Sequence, residues 1–434
     1  MVKPLVAAGR GVTIAGIGAC VPPVVVTNDH LAEVVDTDDE WIRTRTGIRQ
    51  RRVADPSTAT SDLAEVAARR ALEEAGVRPD QVDLIIVATV TPDMPFPSTA
   101  CLLQDRLGAT RAAGFDLEAA CSGFVYGLAV GAQFVAAGLY DTVLVVGAET
   151  LSKIIDWSDR RTCVLLGDGA GAAVLRPAAP GEGILGLYLG ADGSGGDLLK
   201  QPAGGSRLPA SPETVARGLH FVQMNGREVF KFAVKTMGDA AQAALAQAGL
   251  TFEDVDLYIP HQANYRIIES SARRFDLPLD RVVVNIDRYG NTSAASIPVA
   301  LDEALSAGRV RAGQTVLLVA FGGGLTWGAA VLRWGYDRPG ARPLEMPGHE
   351  PEYRLPDWIR EQAARGRARQ EGSNPPAVAA PAPASAVGAP GDAGEGAASA
   401  DEGAPQAAPD PAAVAATGAP RAPRGGAAGG GEVR

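Results

Sequence analysis

Cys121 stands where a predicted strand changes into a predicted helix. Residues 116–131 read D-L-E-A-A-C-S-G-F-V-Y-G-L-A-V-G: an apolar strand at 115–117 ends before Cys121, and apolar residues then recur at helical spacing from Phe124. A sulfur at a helix N-terminus faces unpaired N–H groups and the positive end of the helix dipole, which favour the reactive thiolate. The pattern predicts a nucleophile, and the alternative is a small buried core residue.

A nucleophile needs a partner, and the chain has four histidines to supply one. His30 and His349 lie in polar stretches, and His220 precedes a predicted strand. His261 differs, because the sequence Y-I-P-H-Q-A-N places it at the end of a buried strand. Groups at the carboxyl ends of strands line the crevices of α/β folds. We therefore expect His261 at the site, against the alternative of a satisfied core histidine.

The elements that carry Cys121 and His261 belong to an internal repeat. V-R-P-D-Q-V-D-L-I-I-V-A-T (77–89) returns as L-T-F-E-D-V-D-L-Y-I-P-H-Q (250–262), and D-T-V-L-V-V-G-A-E (141–149) returns as Q-T-V-L-L-V-A-F-G (314–322). An interval of about 173 residues indicates a duplicated domain and not a solenoid. Strands alternating with helices predict mixed, largely parallel sheets. We expect two α/β halves packed face to face, with the cysteine helix near a pseudo-twofold axis.

Asn291 is the third candidate. It follows the strand of V-V-V-N-I-D-R-Y-G-N-T-S-A-A-S, so we expect it at the place in the second half that Cys121 holds in the first. The alternative is a simple helix cap, which is common for Asn. The glycines of A-F-G-G-G-L-T-W-G let backbone N–H groups approach a reacting oxygen.

A thiolate, a histidine and an asparagine amide suit an acyl-transferring condensation. The sulfur takes an acyl group from a thioester. The two N–H donors hold the carbonyl of a second thioester as negative charge develops, as a decarboxylating Claisen condensation requires. A cysteine peptidase would instead use the histidine as a base on the sulfur.

Composition limits the other functions. The 434 residues are 46% hydrophobic and 21% charged with a net charge of −10, which is typical of a soluble globular protein and argues against bulk nucleic-acid binding. No run of about eighteen apolar residues predicts a membrane span, and we expect no signal peptide. Four widely spaced cysteines form neither a disulfide framework nor a metal pair, so we expect a reducing cytoplasm.

We expect three regions. Residues 1–180 form the half that carries the nucleophile, and residues 181–335 form the half that carries His261 and Asn291. Residues 336–434 form a tail with a short helix near 356–368, after which Ala, Pro and Gly dominate. Because the tail has few apolar residues, burying them cannot offset the conformational entropy lost on ordering, and we expect the tail to be disordered.

Six motifs in chain order resemble the β-ketoacyl-[acyl carrier protein] synthase III family of the thiolase superfamily. They are D-T-D-D-E-W-I-R-T-R-T-G-I, A-A-C-S-G-F, G-D-G-A-G-A-A-V-L, P-H-Q-A-N, Y-G-N-T-S-A-A-S-I-P and F-G-G-G-L-T-W-G, and the likeness covers roughly residues 10–335. The resemblance implies a thiolase-like fold of two pseudo-twofold-related halves in α/β/α/β/α layers. It also implies transfer of a short acyl group from acyl-coenzyme A to a cysteine, followed by condensation with malonyl-acyl carrier protein to initiate fatty acid synthesis.

The same resemblance implies the role of each site residue. The catalytic residues would be Cys121, His261 and Asn291, and the backbone N–H groups of Cys121 and Gly323 would form the oxyanion hole. The substrate contacts would be Trp41, Arg45, Arg160 and Asn264 for coenzyme A, Phe96 and Phe230 for the acyl pocket, and Lys231, Arg266, Arg273 and Arg274 for the acyl carrier protein. Phe96 would reach toward a partner subunit of a homodimer. No metal or cofactor is implied.

Two features depart from the family pattern, and two alternatives stay open. Arg161 follows Arg160 where a small residue is frequent, and the Ala/Pro/Gly tail has no family counterpart. From the residues alone, Trp41 and its neighbouring arginines fit either a nucleotide site or a solvated basic face. A related enzyme that primes polyketide synthesis, or transfers acyl groups to another acceptor, would differ in the pocket near Met94 and Phe96. A non-catalytic binder of carrier protein would tolerate loss of Cys121 or His261.

Overall fold

The computed structural model describes residues 10–338 and 340–372. Its strands are β1 Gly11–Cys20, β2 Val24–Thr27, β3 Gln50–Val53, β4 Leu84–Ala88, β5 Ala113–Leu117, β6 Val143–Glu149, β7 Gly169–Ala178, β8 Gly183–Ala191, β9 Leu199–Lys200, β10 Gln223–Met224, β11 Leu257–Pro260, β12 Thr315–Gly322, β13 Thr326–Arg333 and β14 Glu352–Tyr353. Its α-helices are α1 Asn28–Ala32, α2 Asp39–Thr46, α3 Thr60–Glu74, α4 Thr99–Leu107, α5 Gly123–Ala136, α6 Pro212–Ala216, α7 Gly226–Ala248, α8 Tyr265–Arg274, α9 Ile286–Tyr289, α10 Ser296–Ser306 and α11 Asp357–Gln370.

The main sheet shows the duplication directly. Its strand order is β11-β12-β13-β8-β1-β7-β6-β4-β5. In the first half, β4 is parallel to both of its neighbours, β5 and β6. In the second half, β11 is parallel to β12 on one side and forms a parallel bridge to Val282 on the other. Val282 therefore lies beside β11 as β5 lies beside β4. Both halves therefore have the same strand order, and β1 joins β8 at the pair of Val12 and Gly183.

Helices α5 and α10 lie between the two halves. Helix α5 contacts β4, β6 and β7 on one side and β12 and β13 on the other. Its sequence is apolar around most of its circumference because it is covered on both sides. A Cβ atom at Gly127 would lie 2.7 Å from Val145, so the glycine lets α5 approach β6 closely. Helices α3 and α4 cover the outer face of one half, and α7 and α8 that of the other. The predicted α/β/α/β/α thiolase-like layering is confirmed.

Residues 340–372 are folded. Leu344, Leu355, Ile359 and Ala363 are buried, β14 pairs with β2, and Arg52 forms an ion pair of 2.8 Å with Glu345. The expected tail boundary at residue 336 therefore does not mark the end of folded structure, because this stretch has enough apolar residues to pack. The helix expected near 356–368 is α11.

Residues 373–434, where the Ala/Pro/Gly-rich composition predicts disorder, lie outside the described residues, as do residues 1–9. The division of the chain near residues 180 and 335 stays a prediction. None of the described helices is both long and apolar enough to cross a membrane.

Candidate active site

The junction that carries Cys121 is a tight turn. A 3₁₀ turn, Ala120–Ser122, separates β5 from α5. Ala120 has a φ of 46°, a left-handed conformation that residues with a side chain rarely adopt. Cys121 follows in the wall of a cavity of about 1060 Å³ that also touches His261 and Asn291. The fold thus brings together at one cavity the three residues that the sequence singled out.

The backbone around Cys121 is fixed by the other half of the protein. A Cβ atom at Gly322 would lie 2.7 Å from the backbone nitrogen of Cys121, so β12 can approach only because this position is glycine. The hydroxyl of Thr326 lies 2.9 Å from the carbonyl oxygen of Ala119 and 3.0 Å from that of Gly323. Gly323 also lines the cavity. Thr326 therefore links the two backbone segments that carry the predicted oxyanion-hole positions.

The pKa of the Cys121 thiol is higher than its place at the start of a helix would lead one to expect. Burial raises its pKa to about 12, and the charge of Glu149 acts in the same direction. The Ser293 hydroxyl lowers the pKa but does not offset burial. Desolvation therefore outweighs the effect expected of the helix terminus, and the group is a neutral thiol at physiological pH.

His261 is held in one orientation. It follows β11, is fully buried, and burial lowers its pKa to about 3, so the ring is neutral at physiological pH. Its Nδ1 lies 2.6 Å from Ser296 Oγ, which also accepts the backbone N–H of Gln262 at 3.3 Å. The Ser296 hydroxyl can donate to Nδ1, and in that arrangement the proton of the neutral ring is on Nε2. Nε2 has no hydrogen-bond partner among the described residues.

The Asn291 amide is oriented by its neighbour. Its Oδ1 accepts the backbone N–H of Ser293 at 2.8 Å, which leaves the NH₂ group to donate toward the cavity. Its backbone exchanges hydrogen bonds with Leu165 and Gly167 at 2.8 and 2.9 Å. The simple helix-cap alternative does not describe this residue, since α10 begins five positions later, at Ser296.

The expected equivalence of Asn291 and Cys121 needs a correction. The second-half turn that matches Ala120–Ser122 is the 3₁₀ turn Ser293–Ala295, which also begins with a positive φ, 48° at Ser293. The counterpart of Cys121 is therefore Ala294, and that of Asn291 is Glu118. Asn291 reaches the cavity from the segment before the turn and not from the turn itself.

The rest of the cavity contains several of the predicted substrate contacts. Arg45, Asn264, Phe230 and Arg266 all line it. Trp41 lies beside it, with the guanidinium carbons of Arg45 and Arg160 at 4.7 and 5.0 Å from its ring centroid. Phe96 is 85% exposed, so within one chain it closes no pocket.

The predicted carrier-protein residues form a cationic surface in which each side chain has a partner within the chain. Ion pairs of 2.8, 3.1 and 2.7 Å join Lys231 to Glu228, Arg273 to Glu269 and Arg274 to Asp239, and Arg266 donates to the carbonyl oxygen of Thr44 at 2.7 Å. Exposed ion pairs of this kind contribute little to stability and exchange readily for other anions.

Glu149 is a buried residue that hydrogen-bonds residues of the cavity wall, and the sequence analysis missed it. Its Oε2 accepts hydrogen bonds from Thr91 Oγ1, Thr89 Oγ1 and the backbone N–H of Val90, at 2.6, 3.2 and 3.1 Å. Burial raises its pKa to about 7, against the hydrogen bonds, one of them from Ser293. An acidic residue at the end of the otherwise apolar strand β6 was the signal that could have revealed it. Ser296 gave a weaker signal, as a polar residue opening an apolar helix.

Across residues 10–338 and 340–372, no three His, Cys, Asp or Glu side chains are grouped so that they could hold a metal ion. Around the three candidate residues the polar groups are instead an amide, an imidazole, a thiol and backbone N–H groups. These groups fit the stabilisation of a developing negative charge on a carbonyl oxygen.

Comparison with known proteins agrees with this chemistry. The family model described as 3-oxoacyl-[acyl-carrier-protein] synthase III matches residues 115–193, and the model of its C-terminal region matches residues 245–334. A β-ketoacyl-[acyl-carrier-protein] synthase III from Symbiobacterium thermophilum is 62% identical over 326 residues, covering 75% of this chain and 99% of that protein.

Two solved structures extend the comparison. The β-ketoacyl-[acyl carrier protein] synthase III of Thermus thermophilus is 51% identical with a TM-score of 0.70, covering 74% of this chain and 99% of that one. The priming β-ketosynthase of the R1128 polyketide pathway is 37% identical with a TM-score of 0.71, covering 78% and 99%. The chain belongs to the 3-oxoacyl-[acyl-carrier-protein] synthase III family of acyl-transferring condensing enzymes.

Proposed function

We propose that this enzyme transfers a short acyl group from acyl-coenzyme A to Cys121 and condenses it with malonyl-acyl carrier protein. The products are coenzyme A, carbon dioxide and a 3-oxoacyl-acyl carrier protein, the first intermediate of fatty acid synthesis. The observation that carries the proposal is that Cys121, His261 and Asn291 line one cavity. The family membership supplies the substrate class.

In the first step the sulfur of Cys121 attacks the thioester carbonyl. The proton of the thiol passes to the departing coenzyme A sulfur, so the products are an acyl-cysteine and free coenzyme A. The backbone N–H groups of Cys121 and Gly323 hold the oxyanion of the tetrahedral intermediate. The contacts of Gly322 and Thr326 support this role, because they fix the two backbone segments relative to each other.

In the second step the malonyl thioester loses carbon dioxide. His261 Nε2–H and the NH₂ group of Asn291 donate to its carbonyl oxygen as the enolate forms. The enolate carbon attacks the acyl-cysteine, and collapse of the tetrahedral intermediate expels the Cys121 sulfur, which takes a proton from solvent. A neutral histidine is required here because it must donate while remaining uncharged, and burial keeps it neutral.

The substrates enter from the rim that carries Trp41. The adenine ring of coenzyme A stacks on Trp41 and displaces the guanidinium of Arg160, which then covers the other face of the base. Arg45 and Asn264 contact the remainder of coenzyme A along the cavity, and Phe230 contacts the acyl group. The acidic carrier protein docks on Lys231, Arg266, Arg273 and Arg274, exchanging their internal partners for its own carboxylates.

The functional unit is a homodimer that acts in the cytoplasm. Among the strands that the structure describes, β5 ends the main sheet and none pairs with its outer edge; the nearby Met94 and Phe96 are exposed, as an interface between copies would require. Phe96 then closes the acyl pocket of the partner, and sedimentation of the purified protein measures the assembly. All four cysteines are free, as expected for a reducing compartment.

A related role in priming polyketide synthesis is the second candidate, favoured by the similarity to the R1128 priming β-ketosynthase. Both candidates use the same chemistry and differ in the primer. Rates of Cys121 acylation with acyl-coenzyme A donors of increasing length and branching separate them.

The test of the main proposal is covalent labelling. Radiolabelled acyl-coenzyme A should label the wild-type enzyme, and Cys121→Ala should remove the label completely because Cys121 is the only cysteine among the described residues that line the cavity. Cys101→Ala is the matched control, since that thiol is exposed and lies outside the cavity. Labelling of Cys121→Ala at the wild-type level would show that the nucleophile is elsewhere.

A further inference from the structure

Helix α11 lies outside the part of the chain that the family models match. The C-terminal model ends at residue 334, whereas α11 spans Asp357–Gln370. The 326 residues aligned with the Symbiobacterium enzyme already cover 99% of that protein. Helix α11 is thus an addition to the family fold, and its contacts show what it does.

One side of α11 packs on residues 156–161, which we call the rim loop. A Cβ atom at Gly366 would lie 2.2 Å from Ser158 Oγ and 2.7 Å from Asp156 Oδ1, so the helix touches the loop at a position without a side chain. Arg369 forms an ion pair of 2.8 Å with Asp156, with both side chains about four-fifths buried. The ring of Trp358 meets the fully buried Trp157 edge-on at 6.0 Å.

The other side of α11 holds residues 33–36, between α1 and α2. Arg367 donates to the carbonyl oxygen of Val34 at 2.5 Å, and Arg360 forms an ion pair of 2.5 Å with Glu33. Asp36, in the same segment, accepts a hydrogen bond on its carbonyl oxygen from Arg160 of the rim loop at 2.8 Å. The helix therefore bridges two segments that also meet each other through Arg160.

These two segments carry the aromatic–cation pair at the cavity rim. Arg160 belongs to the rim loop, and Trp41 lies on α2, directly after residues 33–36. The next residue, Arg161, lines the cavity and is held by two hydrogen bonds from its guanidinium to the Asp159 carboxylate, at 2.9 Å each. Because α11 is tied to both segments, it fixes the relative backbone positions from which the Trp41 ring and the Arg160 guanidinium reach the cavity rim.

We propose that α11 is a brace that presets the site formed by Trp41, Arg160 and Arg161 for the phosphorylated adenine nucleotide end of an acyl-coenzyme A donor. This inference rests on the proposed function for the identity of the donor. The brace lies away from Cys121 and acts through the rim loop, so its residues are positioning residues. A preset site loses less conformational freedom on binding, which strengthens binding without changing the chemical step.

The test compares two leucine substitutions on the same helix. In Gly366→Leu the new side chain meets Ser158 and pushes α11 off the rim loop, whereas in Ala364→Leu it points to solvent. We expect the KM for acyl-coenzyme A, and the Kd for coenzyme A by calorimetry, to rise about tenfold in Gly366→Leu, about 1.4 kcal/mol. Ala364→Leu should change neither more than about twofold.

A donor without the nucleotide separates positioning from general destabilisation. Acyl-pantetheine has the same thioester but does not reach Trp41, so its kinetics should be equal in wild type and Gly366→Leu. If Gly366→Leu is poorly folded, Arg369→Met removes the Asp156 ion pair while keeping the helix, and should raise the KM for acyl-coenzyme A about threefold.

The outcomes distinguish this inference from the proposed function. Equal loss with both donors, or unchanged coenzyme A affinity in Gly366→Leu and Arg369→Met, would overturn the brace. Failure of both donors to acylate wild type would overturn the proposed function. In that case a tenfold weaker Kd for coenzyme A in Gly366→Leu would still support the nucleotide site.

Discussion

The two repeated turns, Ala120–Ser122 and Ser293–Ala295, have the same backbone and different chemistry. Each begins with a left-handed residue and leads into a central helix, and each packs on the other half: Gly322 of β12 meets Cys121, and Gly147 of β6 meets Ala294. In the first half, Gly123 packs closely on Ala88. In the second half, Ser296 takes the place of Gly123 and His261 takes the place of Ala88, and these two side chains are hydrogen-bonded.

This difference shows how the same backbone conformation supports a nucleophile in one half and hydrogen-bond donors in the other. The first half keeps small residues beside the turn and presents a sulfur. The second half has Ser296 and His261 in place of Gly123 and Ala88, and it presents N–H donors. The residue that faces each turn from the opposite half also differs. Glu149 faces Ser293 of the second turn, whereas its counterpart, Gly322, faces Cys121 of the first turn. Shape is therefore shared between the halves, and reactivity depends on a few side chains.

Moving the sulfur to the equivalent position is the strongest test of this difference. In the double variant Cys121→Ala, Ala294→Cys the thiol keeps the same local backbone but lies at a buried position that does not line the cavity. We expect the rate of acylation by acyl-coenzyme A to fall by about a thousandfold or more, as for loss of a nucleophile. Mass spectrometry of the intact protein detects the acyl adduct. Acylation of the relocated thiol at the wild-type rate would contradict the assignment of the reactive half.

The next test makes the second half resemble the first at His261. Ser296→Gly removes the hydrogen bond to Nδ1, so the ring loses its fixed tautomer and orientation. We expect malonyl decarboxylation to slow about a hundredfold, while acylation of Cys121 changes less than about threefold. Ser306→Gly, at the far end of α10, is the control. Equal slowing of both steps would show that Ser296 only supports the fold.

Glu149 gives the smallest expected effect, a difference in the pH dependence of stability. Burial raises its pKa from 4.5 to about 7, so in this range the unfolded state ionises first and the wild type loses stability as pH rises. Glu149→Gln lacks this loss. Its free energy of unfolding relative to wild type should therefore increase by about 2 kcal/mol between pH 5 and 7.

Urea denaturation at several pH values measures this difference. Glu253→Gln, at an exposed carboxylate, is the matched control. A flat difference between wild type and Glu149→Gln across this range would mean that the buried carboxyl does not take up a proton there.

The sequence was sufficient for the duplicated fold and for Cys121, His261 and Asn291 as site candidates, because strand ends and small-residue junctions are local patterns. It placed Asn291 three positions out of register, since the true register is set by a left-handed residue, Ser293, that carries no sequence mark. It missed Glu149 because burial of a carboxyl depends on threonines brought together by the fold. The state of the Cys121 thiol depends on the same three-dimensional burial.

Residues 340–372 show a case in which the sequence predicts less folded structure than the protein has. The sequence predicts their helix but places them in a disordered tail, because the packing of a few apolar residues, among them Ile359 and Ala363, against the main body has no local signature. A close contact such as that of Gly366 with Ser158 has no sequence signature at all.

The contacts of Gly147 and Gly322 have a consequence for the origin of this architecture. Each turn is completed by a strand of the opposite half, so a primitive polypeptide of half this length would have had an unsupported turn. Such an ancestor could have completed its turn only by associating with a second copy of itself. In the duplicated chain that association is permanent, and each half carries substitutions that the other does not share.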